Sequence, residues 1–115
     1  MNFSQWTLWL ANLDPIVGSE QGKTRPVLII NKSSLNSILP VVNVIPITSR
    51  KANRHLYPNE ALLSPGASGL IVESIALCYQ IRTLDKRRLI RRLGTLSDQS
   101  VQGLVISALR FQLAL

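Results

Sequence analysis

Arg25 and Thr48 are the two residues of this 115-residue chain on which chemistry could turn. Arg25 ends a polar loop, "GSEQGKT" over 18–24, and is backed by Pro26 and the apolar run Val27–Ile30. A guanidinium on so stiff a base can donate two bonds to one phosphate. Ser19, Glu20 and Gln21 crowd donors and acceptors beside it. A loop this polar, tied to a buried strand, reads as an anion-binding and catalytic loop, and the target read here is an RNA phosphodiester. Thr48 and Ser49 follow a second apolar run in "IPITS". Their hydroxyls matter if the two strands are neighbours; otherwise they are turn or cap residues.

Other chemistry is excluded by the same residues. A P-loop needs four residues between its first glycine and the Gly-Lys pair, whereas Gly18 and Gly22 enclose three. Arg25-Pro26 and a strand then follow, where a P-loop would open a helix. His55 is the only histidine, which rules out paired-histidine ribonuclease chemistry and a His-rich metal site. The plain alternative for the loop is a hairpin connection in which Gly18 and Gly22 supply positive φ. Gln80 in "CYQIRT" reads as a polar strand position. Lys86, Arg87, Arg88, Arg91 and Arg92 form a charge run, either a solvated face or a track for a nucleic-acid backbone.

The elements that must position these groups are short. Trp6–Leu13 reads as a first strand stopped by Asp14-Pro15, Val27–Asn31 as a buried second, and Val41–Ile47 as a third, with Pro46 at an edge or where the chain leaves the sheet. Residues 49–59 form a basic, aperiodic loop that reads as mobile; Glu60–Leu63, the β-compatible stretch Leu70–Leu84, and Leu89–Leu96 follow. Ser97 is an N-cap candidate, with Asp98 favoured by the helix dipole, for a helix whose one face is Val101, Leu104, Val105, Ala108 and Leu109. The fold class is α+β and mainly antiparallel, a small curled barrel closed by a C-terminal helix, in one domain over 1–115.

Composition narrows the partner. Net charge is +7, and the first 22 residues hold only Asp14 and Glu20, leaving all thirteen Lys and Arg against four acids in the remainder. That excess points to a polyanion, nucleic acid or an acidic protein. Cys78 stands alone, so no internal disulfide forms, which fits a reducing compartment. No signal-like start and no run near the roughly 20 apolar residues of a membrane span is found, so a cytoplasmic protein is expected.

"LDPIVGSEQGKTRPVLII", "IPITS" and "QIRTLDKRRL", in that order and spacing, resemble the MazF/PemK family of toxin endoribonucleases, and with the C-terminal helix the similarity spans nearly the whole chain. The resemblance implies an SH3-like barrel, a homodimer, metal-independent and cofactor-free cleavage of single-stranded RNA at short sequences, and a small cognate antitoxin. It implies catalytic roles for Arg25 and Thr48 and an RNA site lined by Ser19, Glu20, Gln21 and Gln80. Ser49, Arg82 and Lys86 are expected to join that site, and Glu20 is the carboxylate expected as base. Two departures stand out. The chain opens with "FSQWTLW" rather than an Arg-Gly-Asp-type lead. Leu77 and Tyr79 flank Cys78 where the PemK branch has an Arg and an Asp acting as acid and base, so that version of the mechanism is closed to this protein. The expected alternatives are a non-catalytic RNA- or protein-binding module and a gyrase-poisoning toxin of the related barrel.

Overall fold

The apolar runs fold into strands and the periodic C-terminal segment into a helix. The structure, a computed structural model, describes residues 2–66 and 68–115. The strands are β1 (Thr7–Asn12), β2 (Thr24–Ile29), β3 (Val41–Ser49), β4 (Glu60–Leu63), β5 (Ser74–Leu77), β6 (Arg82–Asp85) and β7 (Leu89–Thr95). One helical turn, α1 (Ser33–Asn36), separates β2 from β3, and α2 (Gln99–Leu113) follows β7.

All pairings are antiparallel, in the order β4-β5-β3-β2-β1-β7, with β6 also on β3. β6 pairs Val41–Val44 of β3 and β5 pairs Ile47–Ser49, so the two share one edge of β3 while β2 takes the other. The expected stretch Leu70–Leu84 is therefore interrupted: it runs beside β3 as β5, a 3-10 turn over Cys78–Gln80, and β6. The turn falls opposite Ile45 and Pro46, and a proline has no N–H to lend a ladder. Pro46 lies inside β3, which runs on to Ser49, so Thr48 and Ser49 are strand residues. The end strands β4 and β7 do not pair, so the strands alone do not close; the expected C-terminal helix, α2, packs on the short β4 and the 3-10 turn.

Adjacent residues of β1, β2 and β3 point to opposite faces, and both faces are covered. Leu8, Leu28, Ile45 and Ile47 pack under α2 with Val105 and Ala108. Trp9, Val27, Ile29 and Val44 form a second cluster with Leu84 and Leu89. Burial on both faces explains why these strands read as continuous apolar runs rather than alternating ones. Cys78 is fully buried, and burial pushes its thiol up to about 12, which leaves it inert.

The N-cap of α2 is Asp98 rather than Ser97: its carboxylate accepts from the Ser100 N–H at 2.9 Å. That bond and the Ser100 hydroxyl hold its carboxyl below the usual range. On the expected helix face Val105 and Ala108 are buried, but Leu104 is 53% exposed. The basic loop after β3 is clasped rather than free. Arg50 donates twice to the Arg54 carbonyl and reaches Glu73 at 3.2 Å, and Arg54 donates to both oxygens of Glu60 at 3.0 and 2.8 Å.

Candidate active site

Register brings Arg25 to Thr48. β2 and β3 pair Val27 with Pro46, and two residues further along each strand lie Arg25 and Thr48. The Arg25 guanidinium comes within 3.5 Å of the Thr48 hydroxyl, at the outer limit of a hydrogen bond. Its Nε donates to the Gly22 carbonyl at 3.0 Å, which fixes the fork and leaves its outer N–H groups for an incoming anion. Arg25 thus sits in a strand, one position inside β2, where a loop position was expected.

The loop that carries Gly22 is itself braced. The Asp14 carboxylate accepts from the Lys23 N–H and Leu13 donates to the Lys23 carbonyl, both at 2.8 Å. Gly18 has the positive φ expected of it, but the second left-handed residue is Lys23, at φ 64°, not Gly22. Gly22 is required for a different reason: a Cβ there would strike the Asp14 carboxylate and Ile16.

Arg25 and Thr48 open into a cleft of ≈490 Å³ shared with Lys23, Ser49 and Arg91. Segment 69–72 forms another wall. Gly69 and Gly94 permit that wall to approach, because a Cβ on either would run into the backbone of the other's strand or loop. Three cations and no carboxylate line the cleft among the described residues. It is suited to holding an anion and to neutralising charge that grows on it.

The remaining expected site residues divide. Ser19, Glu20, Gln80 and Arg82 line a second cleft of ≈480 Å³ with Val17 and Tyr79. Gln21 lines neither cleft: its N–H donates to the Gln80 Oε1 at 2.7 Å, while its own side-chain oxygen is buried without a partner among the described residues. Glu20 lies in the second cleft with its Oε1 held by the Val17 N–H at 2.7 Å, so it does not share the Arg25–Thr48 cleft as a base there would have to. Lys86 reaches neither cleft: it donates to the Asn36 carbonyl and sits 5.1 Å over the Phe3 ring. Arg87 pairs with Asp85, and Arg88 donates to the Asn12 and Asp14 carbonyls. Most of the expected charge run is therefore bound to its own fold.

Of the charged cleft residues, Lys23 was not singled out from the sequence and Arg91 was read only as one member of the charge run. Alternation along the last strand separates Arg91 from Arg92, whose guanidinium turns to the Thr95 hydroxyl, but only pairing of β7 with β1 shows which of the two faces Arg25. No grouping of three or more His, Cys, Asp or Glu that could hold a metal occurs among the described residues, and no helix is long and apolar enough to cross a membrane.

Known proteins share this fold. Residues 4–113 match the family model described as PemK-like, MazF-like toxin of type II toxin-antitoxin system. The chain is 41% identical over 95 residues to Endoribonuclease MazF of Staphylococcus saprophyticus, covering 83% of this chain and 78% of that protein. The crystal structure of MazF from Deinococcus radiodurans superposes with a TM-score of 0.83 at 28% identity, over 100% of this chain and 99% of that one. The MazE-MazF crystal structure from the same organism gives 0.76 at 27% identity, over 100% and 98%. With the match spanning nearly the whole chain, this protein belongs to the PemK-like, MazF-like toxins of type II toxin-antitoxin systems.

Proposed function

We propose that this toxin is an endoribonuclease that cuts single-stranded RNA over the pair Arg25 and Thr48. The observation that carries the reading is their convergence in one carboxylate-free, triply cationic cleft. RNA brings its own nucleophile: the 2′-oxygen bonds to the adjacent phosphorus as the bond to the 5′-oxygen breaks, giving a cyclic phosphate and a free 5′-hydroxyl. The protein must orient that in-line attack and offset charge on the nonbridging oxygens. Arg25 remains protonated and can supply two parallel donors to the phosphate. The Thr48 hydroxyl, one strand away, supplies a third, and Ser49 and Arg91 extend the donor surface along the strand of RNA. Donors of this kind are each worth about 10²–10³ in rate.

The regulating partner is a cognate antitoxin, as in the solved MazE-MazF complex of D. radiodurans. Leu104 and Phe111, seven residues apart and so on one side of α2, are 53% and 63% exposed, an apolar patch that supports a homodimer. A buried lone cysteine suits a cytoplasmic location.

The test is to incubate the purified protein with a long RNA in chelator and to map the new ends. Cuts at one short sequence, each leaving a 5′-hydroxyl, are expected. Retention of RNA without new ends would replace the nuclease by a binding module.

A further inference from the structure

The cutting step leaves one proton without a donor: the one that the departing 5′-oxygen must take up. Among the described residues lining the Arg25–Thr48 cleft there is no carboxylate, histidine, cysteine or tyrosine. Arg25 and Arg91 do not give up their protons in a protein, and the hydroxyls of Thr48 and Ser49 are aliphatic and hold theirs as firmly. An ammonium is a stronger acid than either kind of group. Lys23 carries the one ammonium among the described residues of the cleft.

The backbone at Lys23 supports that use. Its φ of 64° lies in the left-handed region, where glycine fits freely and a side chain is strained. Two bonds pin it there: its N–H donates to the Asp14 carboxylate and its carbonyl accepts from the Leu13 N–H, both at 2.8 Å. A strained residue persists only where its surroundings over-determine it, and such positions gather at working sites. The Lys23 side chain is exposed on the cleft wall, and no ion pair holds its ammonium among the described residues, whereas the Lys86 ammonium is held by the Asn36 carbonyl. Lys23 and Arg25 are two residues apart, at most about 7 Å along the chain, so a phosphate gripped by Arg25 lies within reach of the ammonium.

Resting on the reading of the Arg25–Thr48 cleft as the place of cutting, we propose that Lys23 is a catalytic residue, the general acid that protonates the leaving 5′-oxygen. The 2′-hydroxyl gives its proton to water as its oxygen bonds to phosphorus. The bond from phosphorus to the 5′-oxygen breaks with its electron pair moving to that oxygen, and one ammonium proton of Lys23 follows it there. The amine left behind regains a proton from water, so the enzyme ends as it began. Arg25 and Thr48 then carry the charge of the phosphate, and Lys23 moves the proton that neither of them can release.

The experiment compares wild type, Lys23→Ala, Lys23→Arg and Lys23→Gly on two RNAs of the cut sequence, one natural and one with sulfur in place of the bridging 5′-oxygen at the cut. A thiolate leaves without taking up a proton, so a missing acid has no effect on the second RNA. On natural RNA, Lys23→Ala should lower the single-turnover rate by about 10²-fold. Lys23→Gly, which suits the left-handed backbone and so keeps the fold, should lose as much. Lys23→Arg should recover little of the loss, because it restores the charge without a proton that can be released. On the sulfur-bridged RNA all four proteins should cut within about twofold of one another. The role of Lys23 is overturned if Lys23→Ala cuts natural RNA like wild type, or if Lys23→Arg does, which would make positive charge alone what counts. It is equally overturned if Lys23→Ala loses the same factor on both RNAs, which would make Lys23 a phosphate contact. Each of those outcomes leaves the nuclease reading standing, because wild type still cuts. Wild type that cuts neither RNA would overturn both.

Discussion

Two clefts of nearly equal volume flank the β1–β2 loop, ≈490 Å³ and ≈480 Å³, and their chemistry is opposite. One holds Lys23, Arg25 and Arg91 with hydroxyls and no carboxylate among the described residues; the other holds an acid, an amide, an arginine and a tyrosine ring. A site that must grip every phosphodiester alike gains from charge that does not discriminate. A site that must tell one base from another gains from a rigid face and fixed acceptors. Phosphate contacts position and base contacts specify, and one loop feeds both clefts, with Ser19 and Glu20 in one and Lys23 in the other.

The largest effect that could break this comparison is loss of the Arg25 fork. Arg25→Ala should lower kcat on RNA by about 10²–10³, with an unchanged thermal midpoint, since the side chain is half-exposed and its one firm bond is to the Gly22 carbonyl. Single-turnover cleavage and a melting curve on the same preparation decide it. A variant that still cuts at the wild-type rate would remove the first cleft from the chemistry.

Glu60 tests how much the clasp on the basic loop, which lines neither cleft, contributes to stability. Its carboxylate is held by both Arg54 donors and the Tyr57 N–H, and the Arg54 bonds are the main reason that its carboxyl lies below the usual range. A depressed folded value means stability that is present above the ordinary carboxylate pKa and lost as pH falls through the folded one. Glu60→Gln should cost about 2 kcal/mol at neutral pH. That is less than the ~3–5 kcal/mol of breaking a fully buried pair, because the amide keeps one bond and Arg54 is a third exposed. Urea unfolding should show the difference between wild type and variant shrinking as pH falls below the carboxylate range. A constant difference would mean that Glu60 acts by packing rather than by charge.

How much of this the sequence made legible depended on the distance between partners. The strands were readable because apolar runs and breakers are local, and β4 falls on the expected Glu60–Leu63. The cap slipped by one residue because Ser97 and Asp98 are both good cap formers and only geometry chooses. The fold class was readable from the same local runs, but the open ends of the sheet were not: whether β4 meets β7 is a long-range matter that no local pattern reports. Arg25 and Thr48 were readable as candidates, but their meeting rests on the β2–β3 register, which the apolar pattern constrains only through burial. The charge run misled most. The carbonyls that hold Lys86 and Arg88 lie 50 to 76 residues away, so a row of cations looked free when most of it was bound.

That last contrast yields the finest test, a pair of cations that sequence alone would treat as equivalent. Arg91 lines the first cleft, and no hydrogen bond or ion pair to another side chain occupies it among the described residues. Arg91→Ala should weaken RNA binding by about tenfold, equally across sequences, and reduce the log–log salt slope by about 0.7, the value of one phosphate contact on a single strand. Lys86→Ala removes the same formal charge, yet Lys86 is engaged with the Asn36 carbonyl and the Phe3 ring. Its salt slope should match wild type, with a loss of about 0.5–1 kcal/mol appearing in stability instead. Titrations of both variants at several salt concentrations separate the outcomes. Equal slopes for the two would show that RNA responds to net charge alone, and the first cleft would lose its claim to be a distinct phosphate track.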